Sequence, residues 1–135
     1  MDCTLRDGGY VNNWNFGRKI ISEIADKLCL SSVEVIECGF LSKTKEGSEE
    51  QSIFSTVEEA EKCFSECTEN KLALMINCGE YNEDDIPIYG GEKITTIRIA
   101  FHKHQILKAQ ELCLACKRKG YKVFFQPMVT MEYTD

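Results

Sequence analysis

Apolar residues fall along this chain in two alternating patterns. Four runs, VEVIECGF at 33–40, KLALMIN at 71–77, ITTIRIAF at 94–101 and YKVFFQPM at 121–128, are short and rich in β-branched and aromatic residues, and so predict strands. The opening DCTLR predicts another, running straight into Arg6, Asp7 and two glycines. Helical spacing fills most of the gaps. Ile20, Ile21, Ile24, Ala25 and Leu28 make one apolar face ahead of 33–40, and Thr56 with Glu59 forms a capping box for a helix with the stripe Val57, Ala60, Phe64 and Cys67. Ile106, Ala109, Cys113 and Cys116 mark a third helix that stops at Gly120. Ahead of 94–101, CGEYNEDDIPIYGGE predicts at most one helical turn around Asp84 before Pro87 and the Gly90–Gly91 turn.

Alternating strands and helices predict an α/β fold with a parallel sheet and right-handed crossovers, either an open sheet or a (β/α)8 barrel. Side-chain alternation separates the two. Along the less apolar face of each strand a long polar residue stands near the end: Arg6, Glu37, Asn77, Arg98 and Gln126. Such convergence suits the C-terminal mouth of a barrel, where enzymes of that fold keep their chemistry. The alternative is that Glu37 and Arg98 form a buried ion pair holding the barrel together.

The 135 residues amount to one domain, 43% apolar and 28% charged. A net charge of −6 argues against nucleic acid as the main partner, since the densest basic run, Lys117 to Lys119, sits at a helix end where cations suit the helix dipole. No leader and no membrane-length apolar run is visible, so a cytoplasmic protein without a membrane partner is expected. The eight cysteines, including the Cys63/Cys67 and Cys113/Cys116 pairs, then read as small buried hydrophobes rather than disulfides or zinc ligands.

The opening DCTLRDG resembles the motif of the DRE-TIM metallolyases, the HMG-CoA lyase-like superfamily, position by position from Asp2 to Gly8. VIECGF resembles that family's second strand, IRIAFH the fourth strand of its aldolases, and YTD at 133–135 the start of their fifth helix. GGYVNNWNFG is most similar to the 4-hydroxy-2-oxovalerate aldolase-like branch. The resemblance implies a partial TIM (β/α)8 barrel, its first five parallel strands with their connecting helices. Residues 1–135 would be the N-terminal part of one catalytic domain, needing its remaining half or self-association to cover open edges.

It also implies chemistry. Asp7 would be a ligand to Mn2+ or Mg2+, a hard oxygen donor for a hard cation that polarises the ketone of a 2-oxo acid. Arg6 would stabilise the enolate oxygen. Gly8 and Gly9 would let the backbone turn sharply, bringing both side chains to one mouth. Tyr10 stands where the aldolases carry an acid–base histidine, and Glu37 joins Arg6 and Tyr10 as a catalytic candidate. Asn77, Arg98, His102 and Gln126 are substrate-binding candidates, and His104 a solvated helix-start residue. The family's remaining ligands, a His-x-His on the seventh strand, would lie beyond these five strands. The expected activity is a metal-dependent aldolase cleaving a 4-hydroxy-2-oxo acid through a pyruvate-type enolate. The alternatives are a Claisen-type synthase joining an acyl-CoA to a 2-oxo acid, and a non-catalytic barrel module.

Overall fold

The computed structural model describes residues 1–45, 47–64, 67 and 71–133, apart from the Glu132 side chain. In chain order it contains α1 (Thr4–Asp7), α2 (Gly9–Asn12), α3 (Arg18–Cys29), β1 (Ile36–Leu41), β2 (Ile53–Phe54), α4 (Val57–Cys63), β3 (Leu72–Asn77), β4 (Ile94–Phe101), α5 (Ile106–Arg118) and β5 (Lys122–Pro127). The five strands form one parallel sheet in the order β2-β1-β3-β4-β5, an α/β, partial-barrel-like architecture with helices between strands. No helix among the described residues is long and apolar enough to cross a membrane.

One face of the sheet carries the main core. Ile36, Cys38, Leu74, Ile76, Ile97 and Ile99 pack there with Ile21 and Ala25 of α3, Val57 and Ala60 of α4, and Ala109, Leu112 and Cys116 of α5. Each helix buries a stripe at three- to four-residue spacing, as an amphipathic helix on a sheet must. The opposite face holds a smaller apolar layer, Phe40, Ile53, Met75 and Ala100, against which Trp14 and Met128 pack. The polar side chains of interest lie on that face.

The expected first strand is not one. Only Asp2 bridges to Ile36, and the chain then coils into α1. Local hydrogen bonding explains the difference: the Asp2 carboxylate accepts from the Thr4 amide (3.0 Å) and the Thr4 hydroxyl (3.2 Å), and Asp7 N donates to Cys3 O at 2.7 Å. Such side-chain-to-backbone bonds offer the chain an alternative to a ladder. The vacant stretch of the β1 edge is filled instead by β2, too short to announce itself by pattern. Arg6 therefore reaches the sheet from a helical turn. Gly8 and Gly9 have no special turn conformation; Gly8 is right-handed helical, and Gly9 is needed because a Cβ there would overlap the Trp14 indole.

Other boundaries shift for equally local reasons. Strand 33–40 begins only at Ile36, and its register slips between Glu37 and Phe40 around Gly39, whose φ of 152° favours glycine. Ile20 is 50% exposed, because the buried stripe of α3 runs through Ile21, Ala25 and Cys29. In the capping box, Thr56 accepts from Glu59 N, but Glu59 reaches back to Ser55 N rather than Thr56 N. That helix ends at Cys63, although Phe64 and Cys67 remain buried. The weak connection yields a single turn at Glu83–Asp85. Cys29 and Cys67 are joined in a disulfide, against the expectation that all eight cysteines are free. Their positions at the end of α3 and beyond α4 converge beneath the sheet, a meeting that spacing along the chain does not reveal. Of the YTD stretch, Thr134 and Asp135 lie outside the described residues.

Candidate active site

Arg6 is the pivot. Trp14 Nε1 donates to its carbonyl at 2.7 Å, and the buried Ser52 hydroxyl donates to Leu5 O at 2.6 Å, which pins the α1 turn against β1 and the loop before β2. So held, the Arg6 guanidinium donates from Nε to Glu37 Oε1 and from Nη2 to Asp7 Oδ2 (3.0 Å), with Nη1 on Asp7 Oδ1. Glu37, fully buried on β1, accepts a second guanidinium: Arg98 Nη1 of β4 lies 3.0 Å from Oε2. Arg98 Nη2 continues to Gln126 Oε1 of β5 at 2.8 Å. The result is one chain of charge, Asp7–Arg6–Glu37–Arg98–Gln126, crossing the sheet. Burial by itself would lower the Arg6 pKa; the hydrogen bond and charge of Glu37, with the charge of Asp7, outweigh it and hold the guanidinium above its ordinary value. Cys3 also approaches, its sulfur 3.6 Å from Arg98 Nη1, and burial raises its thiol pKa, so it stays protonated.

Heights within the sheet differ from the expected ring of strand ends. Glu37 is aligned with Ala73 and Arg98 with Met75, one and three residues into β3, whereas Asn77 closes β3. Asn77 stands outside the ionic chain. Its amide donates to Glu80 Oε1 at 3.1 Å, and Glu80 Oε2 accepts from the buried Ser42 hydroxyl at 3.2 Å and lies 3.7 Å from Lys45 Nζ. Lys45 in turn covers the Phe40 ring, 4.3 Å from its centroid, and Arg6 lies 5.9 Å from the same centroid. Phe40 thus joins the two polar systems.

Asn77, Glu80, Tyr10, His102, Gln105 and Met128 line an open cavity of about 250 Å3 past the ends of β3 and β4. Tyr10 is exposed, its ring edge-on to Trp14 with centroids 4.9 Å apart. Gln105 braces the floor, accepting from His102 N (3.0 Å) and donating to Cys78 O (2.9 Å). His102 and His104 stack face to face at 5.9 Å, both exposed, and only His102 reaches the cavity. The eight sequence candidates therefore divide. Arg6, Asp7, Glu37, Arg98 and Gln126 meet in the ionic chain; Tyr10, Asn77 and His102 meet in the cavity. Ala100 is aligned with both Asn77 and Gln126, so the two systems are one strand apart on either side of it, about 10 Å between their Cα atoms. Ser42, Lys45 and Glu80 were not anticipated; they belong to loops after strand ends, where sequence periodicity carries no signal.

Asp7 offers one carboxylate, 58% exposed and engaged by Arg6. Among the described residues no group of three His, Cys, Asp or Glu side chains could hold a metal ion. They do not by themselves make up a metal site.

No family model and no curated protein sequence matches the chain. A solved structure does: the crystal structure of the N-terminal domain of a putative aldolase from Bacteroides vulgatus, at a TM-score of 0.71 and 29% identity. The chain has an aldolase-like fold. The match covers 99% of this chain and 46% of that one, so the chain spans under half the length of the protein it resembles.

Proposed function

We propose that this chain carries part of the active site of a carbon–carbon lyase that cleaves a 4-hydroxy-2-oxo acid, releasing pyruvate and an aldehyde. The observation that supports it is the ionic chain: two guanidiniums, Arg6 and Arg98, fixed by one buried carboxylate on the side-chain-rich face of a parallel sheet. The aldolase label of the structural neighbour points the same way. A retro-aldol step needs positive charge where the C2 carbonyl becomes an enolate oxygen and a second cation for the neighbouring carboxylate. Arg6, beside the Asp7 carboxylate, takes the enolate oxygen, and Arg98 the carboxylate. Glu37 holds both forks in place before substrate arrives, so neither must reorganise as charge develops. As the C3–C4 bond breaks, the 4-hydroxyl loses its proton through water in the open cavity and C3 gains one. Tyr10, an exposed phenol lining the same cavity, suits the donor role.

A divalent metal on Asp7 is part of the same proposal and would polarise the ketone when bound. Its other ligands would come from outside the described residues, and no step above depends on it. Further strands or a second copy would cover the β5 edge, where Phe124 and Phe125 are 41% and 39% exposed.

The test supplies Mn2+ and a panel of 4-hydroxy-2-oxo acids, with pyruvate coupled to lactate dehydrogenase. Pyruvate is expected from at least one member, with the Arg6→Lys variant at least tenfold slower, because a lysine lacks the planar fork. Absence of pyruvate from every member, with thiol released from acetyl-CoA instead, refutes the lyase reading.

A further inference from the structure

We infer that the cavity beside the ionic chain selects the aldehyde half of the substrate, and that this half is a small, neutral, hydroxylated fragment rather than an alkyl, phosphorylated or thioester-bearing one. The inference rests on the lyase reading and adds the substrate class.

Size sets the first limit. At about 250 Å3 the cavity is smaller than the roughly 300–1,000 Å3 that holds drug-sized ligands, so only a few carbons are enclosed. Polarity sets the second. The Tyr10 hydroxyl and the His102 ring can each donate or accept, while the Asn77 amide gives one N–H to Glu80 and keeps its second N–H and its carbonyl oxygen for other partners. Glu80 accepts from Asn77 and Ser42, yet each carboxylate oxygen has two lone-pair sites, which leaves capacity toward the cavity. The wall thus offers both donors and acceptors. Hydroxyl groups, which donate and accept, pair with such a wall. An alkyl chain would strip water from these groups and return no hydrogen bond. A phosphate would face the Glu80 carboxylate, and the cation that balances it, Lys45, already lies 3.7 Å from Glu80 and over the Phe40 ring.

The position fits the chemistry. The carboxylate and ketone of a 2-oxo acid would lie on Arg98 and Arg6, and the cavity begins one strand away from Gln126, where carbons beyond C4 would extend. Tyr10 links the two: it lines the cavity and its ring packs edge-on to Trp14, which donates to Arg6 O.

The experiment runs the reaction in the direction of carbon–carbon bond formation with the Mn2+-supplied protein, pyruvate as donor, and glyceraldehyde, glyceraldehyde 3-phosphate or butanal as acceptor. Glyceraldehyde is expected to show a kcat/KM at least tenfold above the other two, the worth of one or two net hydrogen bonds. Tyr10→Phe and His102→Ala, both at exposed positions and so neutral to folding, should each narrow that preference by about threefold or more, and Glu80→Gln should relax the rejection of the phosphorylated acceptor. Equal turnover of glyceraldehyde and butanal, or unchanged preference in all three variants, overturns the inference while the lyase stands. Turnover with no acceptor, together with no cleavage of any 4-hydroxy-2-oxo acid, overturns the lyase reading and this inference with it.

Discussion

Replacing Glu37 with Gln should be the most damaging single change in the ionic chain, and the structure says why it should exceed loss of Arg98. Glu37 is the common acceptor: its side chain is fully buried, between guanidinium groups whose side chains are only 9% and 12% exposed. A neutral amide leaves Arg98 with Gln126 as its polar partner and leaves Arg6 with the exposed Asp7. Removing one member of a buried pair costs about 3 to 5 kcal/mol, chiefly the price of an uncompensated buried charge. The Arg98→Met change differs in kind. Glu37 keeps Arg6, and the methionine restores most of the buried stem, so the loss is that of charge-assisted bonds, about 1 to 2 kcal/mol. For a chain of this length each kcal/mol moves Tm by about 3 to 5 °C, giving a drop of about 10 to 20 °C for Glu37→Gln against about 5 °C for Arg98→Met. Equilibrium urea unfolding at neutral pH, with scanning calorimetry alongside, measures both. The triple replacement Arg6→Met, Glu37→Leu, Arg98→Met should return near the parent stability while losing all turnover, since a buried ionic cluster contributes little net stability once desolvation is counted. An Arg98→Met variant as unstable as Glu37→Gln would refute Glu37 as the shared anchor; a triple variant that still turns over would remove all three from the chemistry.

Two further outcomes follow from buried groups elsewhere. Burial pushes the Cys116 thiol from 9.0 up to about 12 and the Tyr81 phenol from 10.0 up to about 12, so the unfolded chain ionises both at lower pH than the folded one. Stability is therefore fully present below about pH 9 and is lost as pH rises toward 12, at up to about 1.4 kcal/mol per pH unit per group; urea midpoints that stay flat from about pH 8 to 11, or the same slope in Cys116→Ala, would contradict this. Alkylation of the denatured, unreduced protein should label six cysteines and, after reduction, eight. The Cys29–Cys67 link closes 38 residues, which the chain-entropy relation values at about 4 kcal/mol as an upper figure, so reduction should lower the unfolding free energy by about 2 to 4 kcal/mol. Eight labelled thiols without reductant would show that the link is absent.

What the sequence by itself determined is whatever depends on neighbours along the chain. Helices α3 and α5 could be read because their buried residues repeat at helical spacing, β3, β4 and β5 because compact apolar runs end at turn residues, and the weak turn at Glu83–Asp85 because Pro87 and paired glycines allow no more. Residue types at Arg6, Glu37, Arg98 and Gln126 also announced themselves, being long polar groups where apolar ones belong. The tertiary structure decided the rest. Asp2 and its carboxylate turned an apparent strand into α1, a contest between local hydrogen bonds and a ladder that pattern cannot weigh. Whether polar residues on separate strands form one group or two depends on register, and the slip at Gly39 together with the alignment on Ala100 put Glu37 in the ionic chain and Asn77 in the cavity. Ser42, Lys45 and Glu80 became part of the site because loops 38 residues apart in the case of Ser42 and Glu80 meet above the sheet. Cys29 and Cys67 likewise meet only when α3 and the segment after α4 pack side by side. Periodicity reports which face of an element is buried; which faces then touch is fixed by the energy of packing the elements together.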